Sequence, residues 1–212
     1  LNSKISLDQK LLSKYKNLFK KYKFANDVKN VDGDLTHNLY IDFDRTYKVK
    51  NYNYKISGNI KKSKLELLKP IKNSFISEEI KNIYLSDLNI QTIFAPNTIS
   101  SKVKGKYSLN NLDYLKLNLE KNFNNDLLNI KLDLDYKNNL ELVLINYKKS
   151  KNSVVSISLD FEKIKNSIKI NDLYLNEGDN SIKVDNLKFN EKEFLSFEKI
   201  KVDTQNNNFL IQ

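Results

Sequence analysis

Cysteine is absent from the 212 residues, so neither a disulfide framework nor a thiolate metal site can form, and the redox compartment leaves no mark. Histidine occurs once, as His37, too few imidazoles for a typical zinc site, and nothing near it marks the nucleophile of a Ser-His-Asp set. Arginine also occurs once, as Arg45, although the formal net charge is +10 and the pI about 9.4. Phosphate and base recognition favours the guanidinium fork, so a basic chain built almost wholly on lysine argues against nucleic acid as a partner. The lysines lie along the polar sides of alternating segments, as on a solvated face. With only four glycines and two prolines, the excess of Lys, Asn, Ile, Leu, Phe and Tyr reads as a coding bias toward adenine and thymine. No apolar run is long enough to cross a bilayer as a helix, and no signal peptide opens the chain. No paired carboxylates or nucleophile-base set stands out, so neither enzyme activity, cofactor nor metal is expected. The chain begins at Leu1, and Asn208 to Gln212 reads as the start of another strand. The rest of a longer chain is therefore expected at both ends.

What is present is a rhythm. Asn110, Asn124, Asn138, Asn152, Asn166 and Asn180 recur every 14 residues. Between them apolar and polar residues alternate, as in Leu115-Lys116-Leu117-Asn118-Leu119 and Ile130-Lys131-Leu132-Asp133-Leu134. Period two is the signature of a strand with one apolar face. Asparagine tolerates the left-handed backbone of a tight reversal, so Asn110-Asn111, Asn124-Asn125 and Asn138-Asn139 read as turns. The unit is a strand of about ten residues plus a turn.

Taken in order, Ser6-Leu7-Asp8-Gln9 fits a capping box. Leu7, Leu11, Tyr15, Leu18 and Tyr22 follow at helical spacing, which predicts one N-terminal amphipathic helix over Leu7 to Lys23, packed by its apolar stripe on the sheet in preference to a membrane surface. Residues 1–30 form helix and linker; residues 31–212 form the repetitive sheet. Val31-Asp32-Gly33-Asp34 reads as a turn and lacks the later ligands of a calcium loop. Strands are expected at Leu39 to Phe43 and Tyr47 to Ile60, where Gly58 marks a bulge or a close backbone approach. Tyr47, Tyr52 and Tyr54 beside lysines resemble a base-stacking platform, but tyrosines on a half-buried sheet are the preferred reading. Another strand at Leu65 to Leu68 is expected to end at Pro70. Ser77-Glu78-Glu79-Ile80 looks like a short helical turn, and a seam is placed near 70–82, where the rhythm is weakest. Strands resume at Tyr84 to Phe94 and, after a Pro96-Asn97 turn, at Thr98 to Leu109.

Within the array, the residues expected to form the binding face are Leu115, Leu117, Leu119, Ile130, Leu132, Leu134, Leu142, Leu144, Val155, Ile157, Leu159 and Phe161. Lys116, Glu120, Lys131, Asp133, Ser156, Ser158 and Asp160 fall on the opposite, wet side. The segments Ser167 to Leu175 and Ser181 to Phe189 share a pattern whose apolar phase slips by one residue after Ile170 and Val184, as bulges at Asn171-Asp172 and Asp185-Asn186 would produce. Paired slips bend a sheet. The fold class is therefore mainly β: a long antiparallel meander curved into an open, taco-like groove. One helix cannot cover ten or so strands. The dry face then closes on itself or accepts hydrocarbon, with about 0.8 kcal/mol gained per buried methylene.

The stretch from Val49 onward, with Lys-Ile-Ser-Gly-Asn-Ile at Lys55 to Ile60, the strand-turn periodicity and the Ser-Ile-Lys-Val-Asp-Asn-Leu-Lys-Phe unit at Ser181 to Phe189, resembles the AsmA-like proteins of diderm bacteria, the group that includes AsmA, TamB and YhdP. The resemblance implies a segment of a periplasmic hydrophobic β-groove, anchored to the inner membrane through a part outside this sequence. Its partners would be phospholipid acyl chains and the envelope membranes, and its role phospholipid transport in outer-membrane biogenesis. No catalytic residue is carried over. Two other readings are an outer-membrane β-barrel segment, whose alternation would look much the same, and a structural or adhesive β-repeat with a self-filled core.

Overall fold

The structure, a computed structural model, describes residues 1–8, 10–11, 27–150, 152–191 and 193–212. Alternation makes these residues strands: β1 (Asn2–Leu7), β2 (Val28–Phe43), β3 (Val49–Asn73), β4 (Ile76–Ala95), β5 (Thr98–Ser108), β6 (Leu115–Asn124), β7 (Leu127–Tyr136), β8 (Glu141–Leu142), β9 (Tyr147–Lys148), β10 (Val155–Ile164), β11 (Ser167–Glu177), β12 (Asn180–Asn190), β13 (Glu193–Ser196), β14 (Lys199–Asp203) and β15 (Asn208–Ile211). Thirteen of them form one antiparallel meander in the order β1-β2-β3-β4-β5-β6-β7-β10-β11-β12-β14-β15, with β13 also on β12, while β8 and β9 make a separate ribbon. The sheet is not closed into a barrel. The expected mainly-β meander is present.

The expected N-terminal helix finds no support among the described residues. Leu7 belongs to β1 and faces Val31, and Ser6, the expected cap, pairs with Asp32 inside the same ladder. Asp8 Oδ1 accepts the Leu11 N–H at 2.8 Å. Gln9 and residues 12–23 of the expected helix lie outside the described residues.

The chain falls into two compact units, residues 1–71 with 80–116 and residues 72–79 with 117–212. In the first, Leu35, Ile60 and Leu88 form a buried cluster, with Ile5, Val31, Ile56, Leu85, Ile90 and Val103 packed against it. Val31-Asp32-Gly33-Asp34 is a strand segment here, paired with β1 and β3, rather than a turn. Gly33 and Gly58 lie where β2 and β3 press together. A Cβ on Gly33 would stand 2.5 Å from the Asn59 carbonyl oxygen, and one on Gly58, whose φ is 155°, would run into the Asp34 carbonyl. Gly58 therefore marks the expected close approach.

Two strand ends move. β3 runs through Pro70, and 77–80 lies in β4 with no helical turn. The N–H groups of Glu66 and Leu68 point toward Asp27, on the β2 side. Pro70 has the same parity, and the described part of β2 begins only at Val28, so the donor that proline lacks would meet no described ladder partner.

In the second unit, reversals use left-handed residues: Asn125 (φ 51°), Lys165 (φ 51°), Gly178 (φ 58°) and Glu191 (φ 54°). Two expected phase slips are present. The β10–β11 register skips Asn171 between Asp160↔Asp172 and Phe161↔Ile170, and Asn186 opposite it in β12 has φ 53°. Each extra residue keeps the apolar side chains beyond it on the same face. The other face carries polar ladders, such as Ser156 Oγ to Asp135 at 2.8 Å, Ser158 Oγ to Asp133 at 2.6 Å, and Lys131 to Asp160 at 3.3 Å.

Candidate functional site

Registers stack the apolar residues of the second unit into rows that cross the strands. One row runs Leu119, Leu132, Leu159, Leu173, Val184, Ile200 and Ile211; the next runs Leu117, Leu134, Ile157, Leu175, Ile182, Val202 and Phe209. On the other side of the first row lie Ile130, Phe161, Ile170 and Leu187, and beyond them Phe189 pairs with Phe194. Directly paired residues of an antiparallel ladder share a face, so these rows form one apolar surface. Most of its members are half-buried. A face covered by a second layer would be buried throughout, as in a sandwich core.

Full burial is confined to one rim, where β7 ends and β10 begins. Tyr136, Leu140, Tyr147, Val155, Leu175, Ile182 and Val202 are all under 9% exposed. The chain leaves the meander here between β7 and β10, strands that pair directly with each other, in an insert, residues 137–154, that itself contributes Leu140 and Tyr147. This insert holds the β8–β9 ribbon and a 3-10 turn, Val143–Ile145. It is tied at one end to the β3–β4 tip by Glu141 N–H to the Phe75 carbonyl (3.0 Å) and Asn138 to Glu78 (2.7 Å). At the other it meets the β14–β15 turn through Asn207 Nδ2 to the Ile145 carbonyl (2.6 Å).

The insert's polar anchor is Glu177, only 6% exposed. Tyr147 Oη donates to its Oε2 at 2.8 Å and the Ser150 N–H to its Oε1 at 2.8 Å, and Ser153 Oγ also donates to Oε1. Burial pushes the Glu177 carboxyl up, but the bonds from Ser153, Tyr147 and Ser150 together outweigh it and hold the group below its usual range. Burial, then the Glu177 hydrogen bond and charge, pushes the Tyr147 hydroxyl up. Lys149, 4% exposed, donates to the Ser150 and Ser153 carbonyls at 2.9 and 2.7 Å. Burial pushes its amine down, opposed by the charge of Glu177 and aided by that of Lys137. This arrangement fixes a segment and presents no open reactive group.

Of the twelve residues expected on the face, Leu117, Leu119, Ile130, Leu132, Leu134, Ile157, Leu159 and Phe161 stand in the rows, half-buried, and Leu115 opens β6 beside them. Val155 continues the phase but is 0% exposed, so it is packed by protein. Leu142 and Leu144 leave the sheet: Leu142 is in the ribbon and Leu144, in the 3-10 turn, is 99% exposed. The expected place of Leu142 and Leu144 on the face is thereby corrected. Four consecutive apolar residues, Leu142 to Ile145, cannot be sorted onto one side of a strand. Rows contributed by β11, β12, β14 and β15 extend the face beyond those twelve; their signal was the same alternation carried across the two bulges. Among the described residues no group of three or more His, Cys, Asp or Glu could hold a metal ion. The chain matches no family model, no curated protein and no solved structure.

Proposed function

We propose that the apolar rows of the second unit bind the acyl chains of phospholipid, as a segment of a hydrophobic groove that conducts phospholipids between the inner and outer membranes of a diderm bacterium. The observation that carries this reading is that rows up to seven strands wide are for the most part only partly buried, on a sheet that is open and has a ladder of polar residues on its other face. A row in which every rung offers Leu, Ile, Val or Phe presents nearly equivalent sites, so a chain can advance from one strand to the next without a deep well. Desolvating each methylene there contributes about 0.8 kcal/mol, and no side-chain chemistry is needed. Inner-membrane anchoring and a periplasmic location belong to the same proposal and come from the AsmA-like resemblance.

Protein purified without detergent is expected to carry phospholipid, seen by mass spectrometry of an organic extract. Leu132→Asp or Leu159→Asp should remove that lipid while the circular dichroism spectrum stays β-rich. Leu144→Asp, on the solvent side of its turn, should leave lipid content unchanged. A lipid-free parent protein, or row variants that retain lipid, would sink the reading.

A further inference from the structure

The β2–β3 hairpin outruns β4. β4 has 20 residues against 25 in β3 and folds back on it through the two-residue turn Ser74-Phe75, so it reaches back to about Tyr54, where the Phe94 ring stacks on Tyr54 at 6.0 Å. The end of the hairpin, from about Leu39 to Asn53, therefore extends past β4 as an arm.

A projecting arm would be expected to be polar, yet this one is not. Leu39 faces Tyr54, Ile41 faces Tyr52 and Phe43 faces Val49 on one side. Leu39, Phe43 and Val49 are each more than half exposed, and Tyr47 at the tip is 89% exposed. The tip is built rather than loose. Asp44 Oδ1 accepts the Thr46 N–H at 2.7 Å, the Thr46 hydroxyl at 2.7 Å and the Lys48 N–H at 3.0 Å, and Tyr47 is held at φ 60°. Bulky residues seldom take that conformation without a reason in the surrounding structure. Asp44 is exposed with its Oδ1 engaged by these donors, and at the same end Arg45, the chain's one arginine, Lys48 and Lys50 are exposed, three cations against the carboxylates of Asp42 and Asp44.

We propose that this arm is a membrane-docking element, setting Phe43, Tyr47 and Val49 into the interfacial layer of a bilayer while Arg45, Lys48 and Lys50 meet anionic phospholipid headgroups. Amphipathic aromatic rings favour the headgroup level, and basic residues beside them add attraction to anionic lipid. A protein partner fits less well. Three cross-strand pairs offer a strip roughly 17 Å long and 10 Å wide, far short of the about 800 Å² per side of a stable interface. The proposal does not require the rows of the second unit to carry lipid.

The chain has no tryptophan, so Tyr47→Trp places a single reporter at the tip and Leu68→Trp one elsewhere on β3. With vesicles of phosphatidylcholine and phosphatidylglycerol, the tip reporter should shift to the blue and be quenched by brominated acyl chains, and the Leu68→Trp reporter should not. Partitioning should weaken roughly tenfold or more on vesicles of phosphatidylcholine alone, and Phe43→Ser with Val49→Ser should abolish it. An unshifted tip reporter, equal shifts at both positions, or undiminished binding by the double variant overturns the proposal. So does a blue shift without vesicles that grows with protein concentration, which would assign the arm to a second copy. Vesicle docking is read separately from extractable lipid, so either idea can fail alone.

Discussion

At the residue scale, Glu177 has the most to lose. Removing its carboxylate in Glu177→Ala strands the buried Tyr147 hydroxyl, at about 1–3 kcal/mol for a group left unsatisfied, and takes a partner from the Ser150 amide and from the Ser153 hydroxyl, which keeps the Ser150 carbonyl at 2.8 Å. The expected result is a lower urea midpoint, with hydrogen exchange accelerated most across 147–153. Acid should act through the same group. Its folded pKa lies below the ordinary value of 4.5, so its contribution is fully present above that value and is lost as pH falls through the depressed one. Exchange protection across 147–153, corrected for the intrinsic rate at each pH, should fall on acidification in the parent protein, and that fall should be blunted in Glu177→Gln. The position was legible in outline: Glu177 takes the next apolar-phase slot after Leu173 and Leu175, where a carboxylate is out of place. Its donors were not, because Tyr147, Ser150 and Ser153 are brought to it by a segment whose path alternation does not specify. Gly58 is a simpler case. Gly58→Ala drives a methyl group into the Asp34 carbonyl, and a loss of at least about 1 kcal/mol is expected in thermal or urea unfolding.

At the scale of elements, the bulges and the insert differ in how openly the sequence announces them. Asn171 and Asn186 shift the apolar phase, which any reading of alternation detects. Deleting Asn171 should turn Ile168 and Ile170 to the wet face, or force the rest of β11 to turn over instead. Two displaced side chains at about 1.5 kcal/mol or more each predict a loss near 3 kcal/mol, measurable as a lower urea midpoint with an unchanged slope. Residues 138–152 keep the 14-residue spacing yet leave the sheet, because period two says which face a residue occupies and nothing about which strand lies alongside. Pro70 ends no strand, for a related reason. Proline limits a strand only where its missing donor would meet a partner, and that depends on where β2 begins. Leu7 was assigned to a helix because Leu7, Leu11 and Tyr15 have helical spacing, whereas in the structure β2 supplies a ladder for Asn2–Leu7.

At the scale of the whole molecule, the meander gives nearly every strand its sequence neighbours as partners, so most of the sheet is assembled from local hairpins, a topology that shortens loop closure. Its exposed apolar surface should bind a dye such as ANS under native conditions, and a short-chain phosphatidylcholine should displace it; dye binding that persists at saturating lipid would place the exposed surface elsewhere. The same neighbour-to-neighbour order governs the response to force. Because β1 and β15 are opposite ends of one strand order, a pull on the two termini should peel strands from the edges in sequence, each release adding the contour length of one strand and its turn. At the β7–β10 junction the regular staircase should break. Where peeling arrives from the β1 side, before β11 and the β14–β15 turn are released, the 18 residues of 137–154 are still held by Glu177 and Asn207 and should come free in one step, a longer extension at a higher force that marks the insert as a mechanical clasp.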